Sequence, residues 1–136
     1  MVNLSRKYAI VISVGAGALC LILCLALHKS AYKRSKAPPD SADVQQALQM
    51  LRSMAAAPAT APGYMSSDAR QTARKAVAGA AEAMGKAKSV ERKDSQWFGS
   101  YLRVGVTCPR AGGVPYEQHF FLKKQDGELR ITGLDL

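Results

Sequence analysis

The sequence predicts an α+β protein with one N-terminal transmembrane helix, followed by two helices and a three-stranded antiparallel meander. Three observations carry this expectation. Tyr8 to Leu27 is a run of twenty residues without a charge. Apolar residues then recur at helical spacing between Ser41 and Lys88. From Gln96 onward the apolar period falls from 3.6 to 2. The expected organisation is a tail (1–7), a transmembrane helix (8–27), a basic juxtamembrane segment with a short helix and an Ala/Pro linker (28–65), and a small α+β domain (66–136).

The apolar run YAIVISVGAGALCLILCLAL would form a helix ~30 Å long, the thickness of a bilayer's hydrocarbon core. A cleaved signal peptide has a shorter apolar region and a small-residue cleavage site after it. Here the run is followed by His28, Lys29, Ser30, Ala31 and Tyr32. Cys20 and Cys24 lack the preceding small residue of a lipoprotein site, and in lipid they act as small hydrophobes. Orientation stays open. Arg6 and Lys7 precede the run, whereas Lys29, Lys33, Arg34 and Lys36 follow it. That count favours a cytoplasmic C-terminal side, yet short N-terminal anchors often carry their domain across. The four following cations either contact anionic headgroups or simply end the helix and snorkel.

Ala37-Pro38-Pro39-Asp40 breaks the chain after the anchor. Ser41 then caps a helix whose stripe is Val44, Ala47, Leu48 and Leu51, with Asp43 in the first turn. AAAPATAPG (55–63) should be a short flexible linker, because Pro58 and Pro62 cannot continue a helix. A second helix is expected from Ser66-Ser67-Asp68 to Gly85. Ala73, Ala76, Val77, Ala80 and Met84 form one face, and Arg70, Arg74 and Lys75 stand on the other. The first strand is expected from Gln96 to Cys108, with Phe98, Leu102, Val104, Val106 and Cys108 facing inward. PRAGGVP (109–115) is a loop, and Tyr116–Lys124 is a strand with Phe120 and Leu122 inward. Phe121 breaks that alternation, which suggests cover on both sides. Asp126-Gly127 marks a hairpin leading into Glu128–Leu134.

Chemistry is sparse. The domain after residue 40 holds one histidine, His119, and one cysteine, Cys108. His119 could meet Glu117 on a polar strand face, but the two reactive side chains fall on opposite strand phases. No metal-ligand, P-loop or dinucleotide motif is present, so neither catalysis nor a cofactor or metal is expected. The chain has 19 Lys plus Arg against 10 Asp plus Glu, a net charge of +9. Residues 28–95 carry 12 basic and 6 acidic side chains, residues 96–136 only 5 and 4. That basic region has few aromatics, so an anionic lipid surface or an acidic protein is expected before nucleic acid. The partner- or lipid-binding candidates are Lys29, Lys33, Arg34, Lys36, Arg70, Arg74 and Lys75.

Four short segments together form a recognisable order: Ala83-Met84-Gly85-Lys86-Ala87, Leu102-Arg103-Val104-Gly105-Val106, Pro109-Arg110-Ala111-Gly112-Gly113 and Asp126-Gly127-Glu128-Leu129. From Val77 onward this order resembles the cytochrome c oxidase assembly factor family, whose domain is shared with a small subunit of the mitochondrial inner-membrane presequence translocase. The resemblance implies a single-span inner-membrane protein that contacts a membrane complex as an assembly factor or accessory subunit. The last two strands also resemble the cone-shaped folds of the nuclear-transport-factor type, found in an inner-membrane subunit of bacterial type IV secretion systems. That implies a structural component of a bacterial envelope machine. A small membrane-tethered enzyme using Cys108 or His119 is the third alternative.

An anchor through Tyr8–Leu27 should make the protein resist carbonate extraction and keep its N-terminus. Recovery in the soluble fraction would count against it.

Overall fold

The structure, a computed structural model, describes residues 34–135. The expected transmembrane helix, Tyr8–Leu27, lies outside the described residues. Within them, no helix is long and apolar enough to cross a membrane. The predicted two helices and three-stranded meander need correction. Three helical segments stand between the first and second strands in sequence and cover a five-stranded antiparallel sheet in the order β1-β2-β3-β4-β5. The strands are β1 (Arg34–Lys36), β2 (Glu91–Phe98), β3 (Tyr101–Cys108), β4 (Tyr116–Gln125) and β5 (Glu128–Asp135). The helices are α1 (Ala42–Ala56), a 3-10 helix (Pro58–Tyr64) and α2 (Gln71–Gly85).

α1 forms as its sequence dictates. The Ser41 hydroxyl accepts from the Val44 N–H at 3.4 Å, and Asp43 sits in the first turn. Its stripe of Val44, Ala47, Leu48, Leu51 and Met54 is fully or almost fully buried. The expected flexible linker is the 3-10 helix, with Ala61 buried. Prolines exclude an α-helix, but Pro58 at a helix start suits a short 3-10 turn.

α2 starts five residues later than Ser66. The Ser66 N–H is bonded instead to the Ile131 carbonyl at 2.8 Å, and Met65 bridges Ile131 in parallel. That segment therefore runs along the β5 edge before α2 begins. Val77, Ala80, Ala81 and Met84 are the buried residues of α2. Gly85 lets its end approach α1: a Cβ there would stand 2.9 Å from the Ala55 carbonyl oxygen.

The largest correction concerns the expected strand Gln96–Cys108. It is the end of β2, a tight turn at Gly99-Ser100, and β3. Gly99 has φ +60°, a conformation open to glycine at little cost. In one continuous strand Phe98 would share a face with Leu102. In the hairpin Phe98 pairs with Tyr101, and Trp97 pairs with Leu102. Phe98 thus leaves the core and Trp97 packs against it. β2 shows no visible period because its core phase holds Arg92, Ser95 and Trp97, only one of them large and apolar, and a bulge at Lys93 shifts its register. β1 is three residues of polar chain that pair Arg34–Lys36 with Phe98–Gln96.

The Asp126-Gly127 hairpin is as expected. Both residues have positive φ, +53° and +81°, as a type I′ turn requires. The core lies between the helices and one sheet face. Leu102, Val104, Val106, Cys108, Phe120, Leu122, Leu129 and Ile131 supply that face, all fully buried. Phe120→Ala should lower unfolding free energy by about 3–5 kcal/mol. An unchanged denaturation midpoint would contradict the central place of Phe120.

Candidate functional site

Side chains alternate across a strand, and directly paired residues share a face. The second face of the sheet can therefore be written from the pairing register. No helix covers it among the described residues. Its first row crosses all five strands: Arg34, Phe98, Tyr101, Lys123 and Arg130. The next holds Lys36, Gln96, Arg103 and Phe121. A third holds Asp94, Gly105, His119 and Asp135. A fourth holds Glu91, Thr107 and Glu117. Charge is thus sorted along the strands. The Arg34 and Lys36 rows are basic and aromatic, and carboxylates flank them: Asp94, Asp135, Glu91 and Glu117 on one side, and Glu128, paired with Gln125 and bonded to Arg130 at 3.0 Å, on the other.

Specific contacts hold the pattern. Phe98 and Phe121 meet edge-to-face, with centroids 6.1 Å apart at 81°. The Arg34 guanidinium lies 5.2 Å from the Phe98 centroid, and that of Arg103 lies 6.0 Å from it. Arg103 Nε donates to Asp135 Oδ2 at 2.6 Å. Tyr101 is 42% exposed, an unusual degree for a large side chain in a central strand. Lys123 reaches Asp68 at 2.5 Å, and that bond holds the Asp68 carboxyl below the usual carboxylate range.

Gly105 is the centre of a second arrangement. His119 Nε2 lies 3.1 Å from an Asp94 carboxylate oxygen, across the β3 strand. A Cβ on Gly105 would stand 2.5 Å from Asp94 Oδ1 and 2.6 Å from the His119 ring. The contact exists because β3 carries no side chain at that point. The expected partner of His119, Glu117, is instead paired with Lys93 at 2.6 Å.

The predicted cations are spread over different environments. Lys29 and Lys33 lie outside the described residues. Arg34 and Lys36 stand on β1, exposed, and Lys36 borders a shallow cleft with Arg92, Gln96 and Arg103. Arg70 occupies the N-cap position of α2 and is exposed, as is Lys75. Arg74 is occupied internally: it donates to the carbonyls of Ala69 and Ser66, both at 3.1 Å, and so secures the loop before α2. Cys108 faces the core and His119 the open face, so the two do not meet. Burial pushes the Cys108 thiol up, away from the reactive thiolate. No cluster of three or more metal-ligating side chains occurs among the described residues.

Sequence reasoning missed Phe98, Arg103, Asp94 and Gly105 as members of one face. The signal that could have found it was Phe121, which breaks the alternation of β4 because both faces of that strand carry an aromatic ring. Comparison with protein families, curated proteins and solved structures finds no match to this chain.

Gly105→Ala should separate Asp94 from His119 and cost about 1–3 kcal/mol by overpacking. Chemical denaturation and the NMR chemical shifts of the His119 ring protons would report it, and wild-type values in both would exclude the proposed crowding.

Proposed function

We propose that this chain is a membrane-tethered, non-enzymatic binding protein. Its α+β domain contacts a membrane complex, as an assembly factor or accessory subunit. The observation that carries this reading is the open sheet face, where Phe98, Tyr101 and Phe121 stand among arginines and lysines and no helix covers them among the described residues. Aromatic and arginine side chains are the residues that dominate protein interfaces. The charge-free run Tyr8–Leu27 supports the tether. A tether confines the domain near any partner in the same membrane, so modest contacts suffice. The separation of Cys108 from His119 supports binding over nucleophilic chemistry, which needs base and nucleophile within ~2.6–3.2 Å.

A second reading is a structural component of a bacterial envelope or secretion machine. The strand count favours it: the five strands of the described residues, with their helices on one face, suit the nuclear-transport-factor resemblance better than a three-stranded meander does.

The test is co-purification of the full chain from mild detergent. Phe121→Glu should reduce recovery of the partner complex about tenfold or more, and Glu82→Lys, on the exposed side of α2, should not. Cys108→Ala with His119→Gln should retain cellular function. A double variant that is folded and inserted yet inactive would replace the binding reading with the enzymatic one.

A further inference from the structure

The ladder between β1 and β2 is unfinished. β1 pairs Arg34–Lys36 with Phe98–Gln96 and goes no further. Pro38 and Pro39 follow, and neither has an N–H to give a neighbouring strand. The Ala37 carbonyl accepts the Ser95 hydroxyl at 2.7 Å, and the chain then turns into α1. From Glu91 to Asp94, β2 therefore has β3 on one side and no strand on the other among the described residues. Arg52 closes the far end of this stretch, where its Nε donates to the Val90 carbonyl at 3.0 Å. The open stretch is ~14 Å long at the rise of a strand.

An unpaired sheet edge is a template for another strand, and its surroundings decide which kind. A cleft of about 470 Å³ runs beside it, with Lys36, Arg92, Asp94 and Arg103 on its walls. Asp94 is held by His119, and Arg103 by Asp135. Lys36 and Arg92 have no carboxylate partner among the described residues. Arg92 Nε donates to the Ser95 hydroxyl at 3.0 Å, and its two terminal nitrogens are left for a ligand. The register puts Lys36 on the open-face side of the rim and Arg92 on the helix side, so an acid on either phase of an added strand finds a cation. Glu91 is the one carboxylate of this stretch without an ion partner among the described residues. Both long helices end near Val90, and Arg52 and Lys88 stand beside those ends to offset their partial negative charge. No aromatic ring lines the cleft, so nucleic-acid bases have no stacking platform there. β1 bounds the gap at one end and Arg52 at the other, and the bulge at Lys93 bends it. The edge of another sheet, or of a second copy, is too long and too straight to enter, whereas a short flexible segment can follow the bend.

We propose that the open stretch of β2 takes a short, extended, acidic segment of a partner protein, which lies in line with β1 and completes the ladder. Main-chain bonds to the Glu91–Asp94 edge supply the affinity, and alternate side chains supply the selectivity. The acidic side chains of the segment meet Lys36 and Arg92. Held on the rim of the sheet, the segment leaves Phe98, Tyr101 and Phe121 uncovered. The site is additional to the open-face contact, and it stands whether or not the chain is tethered.

The test uses the full chain in mild detergent and a fluorescein-labelled peptide of about seven residues that alternates glutamate with valine. Anisotropy should show saturable binding, about tenfold weaker when glutamine replaces the glutamates. Methylating the peptide's backbone nitrogens removes the ladder donors and leaves every charge in place, and binding should then be lost. Lys36→Gln and Arg92→Gln should each weaken binding about fivefold, and Arg110→Gln, an equal loss of charge away from this edge, should not. Lys36 makes no side-chain hydrogen bond among the described residues, so its variant separates binding from folding. Amide hydrogen exchange at residues 91–94 should slow when the peptide binds, with β5 unchanged. Undiminished binding of the methylated peptide, or exchange at 91–94 that the peptide does not alter, reduces the contact to charge attraction and overturns the proposal. So does an absence of binding at about 1 mM peptide. Each of these results leaves the open-face reading in place, since that reading is tested by Phe121→Glu.

Discussion

The fold depends on one requirement: the inward phase of β3 and β4 must be kept from water. Leu102, Val104, Val106, Phe120 and Leu122 are fully buried, and they cannot be so in a bare sheet. The helices exist to cover them. α1 brings branched and long side chains, Leu48, Leu51 and Met54, while α2 brings mostly alanines and lies close. An alanine-rich helix has little apolar area of its own to bury. Its place is fixed by Val77 and Met84, by the glycine that admits Ala55, and by Arg74 gripping the loop ahead of it.

Covering one face leaves the other to be solved by side-chain chemistry. Cross-strand ion pairs and an edge-to-face ring pair occupy it instead of a second layer. Lys93–Glu117 is exposed, and such a pair contributes little to stability by itself. Arg103–Asp135 is more sheltered and is joined to the Phe98 ring, so it fixes geometry across three strands. The outcome is a surface ordered by register, with its cations and carboxylates in separate rows.

Legibility in the sequence followed physical signal strength. α1 was readable because its cap, first-turn acid and stripe agree with one another. β4, β5 and their hairpin were readable because Phe120, Leu122, Leu129 and Ile131 alternate and Asp126-Gly127 suits one turn type. β2 was not, because a strand with Arg92, Ser95 and Trp97 as its inward residues shows no apolar period, and its bulge interrupts the count at Lys93. β1 was hidden in what looked like a basic juxtamembrane stretch. Phe98 was assigned to the wrong face for a related reason. A two-residue turn inverts side-chain parity, and Gly99-Ser100 resembles strand continuation when only apolar spacing is read. Of the candidate site, the cations Arg34 and Lys36 were legible as charges. Their assembly with Phe98, Phe121 and Arg103 was not, because it depends on pairings between residues far apart in sequence.

The brevity of β1 has a mechanical meaning. Tension on the chain ahead of Arg34 is borne first by three residue pairs and one stacked guanidinium, then by the Ser95 hydroxyl bonded to the Ala37 carbonyl at 2.7 Å. These fasteners release one after another. The β2–β5 ladder and the helical cover lie behind them and do not share the pull until β1 has peeled away. Under such a pull β1 would come away pair by pair, while the β2–β5 ladder keeps its own register.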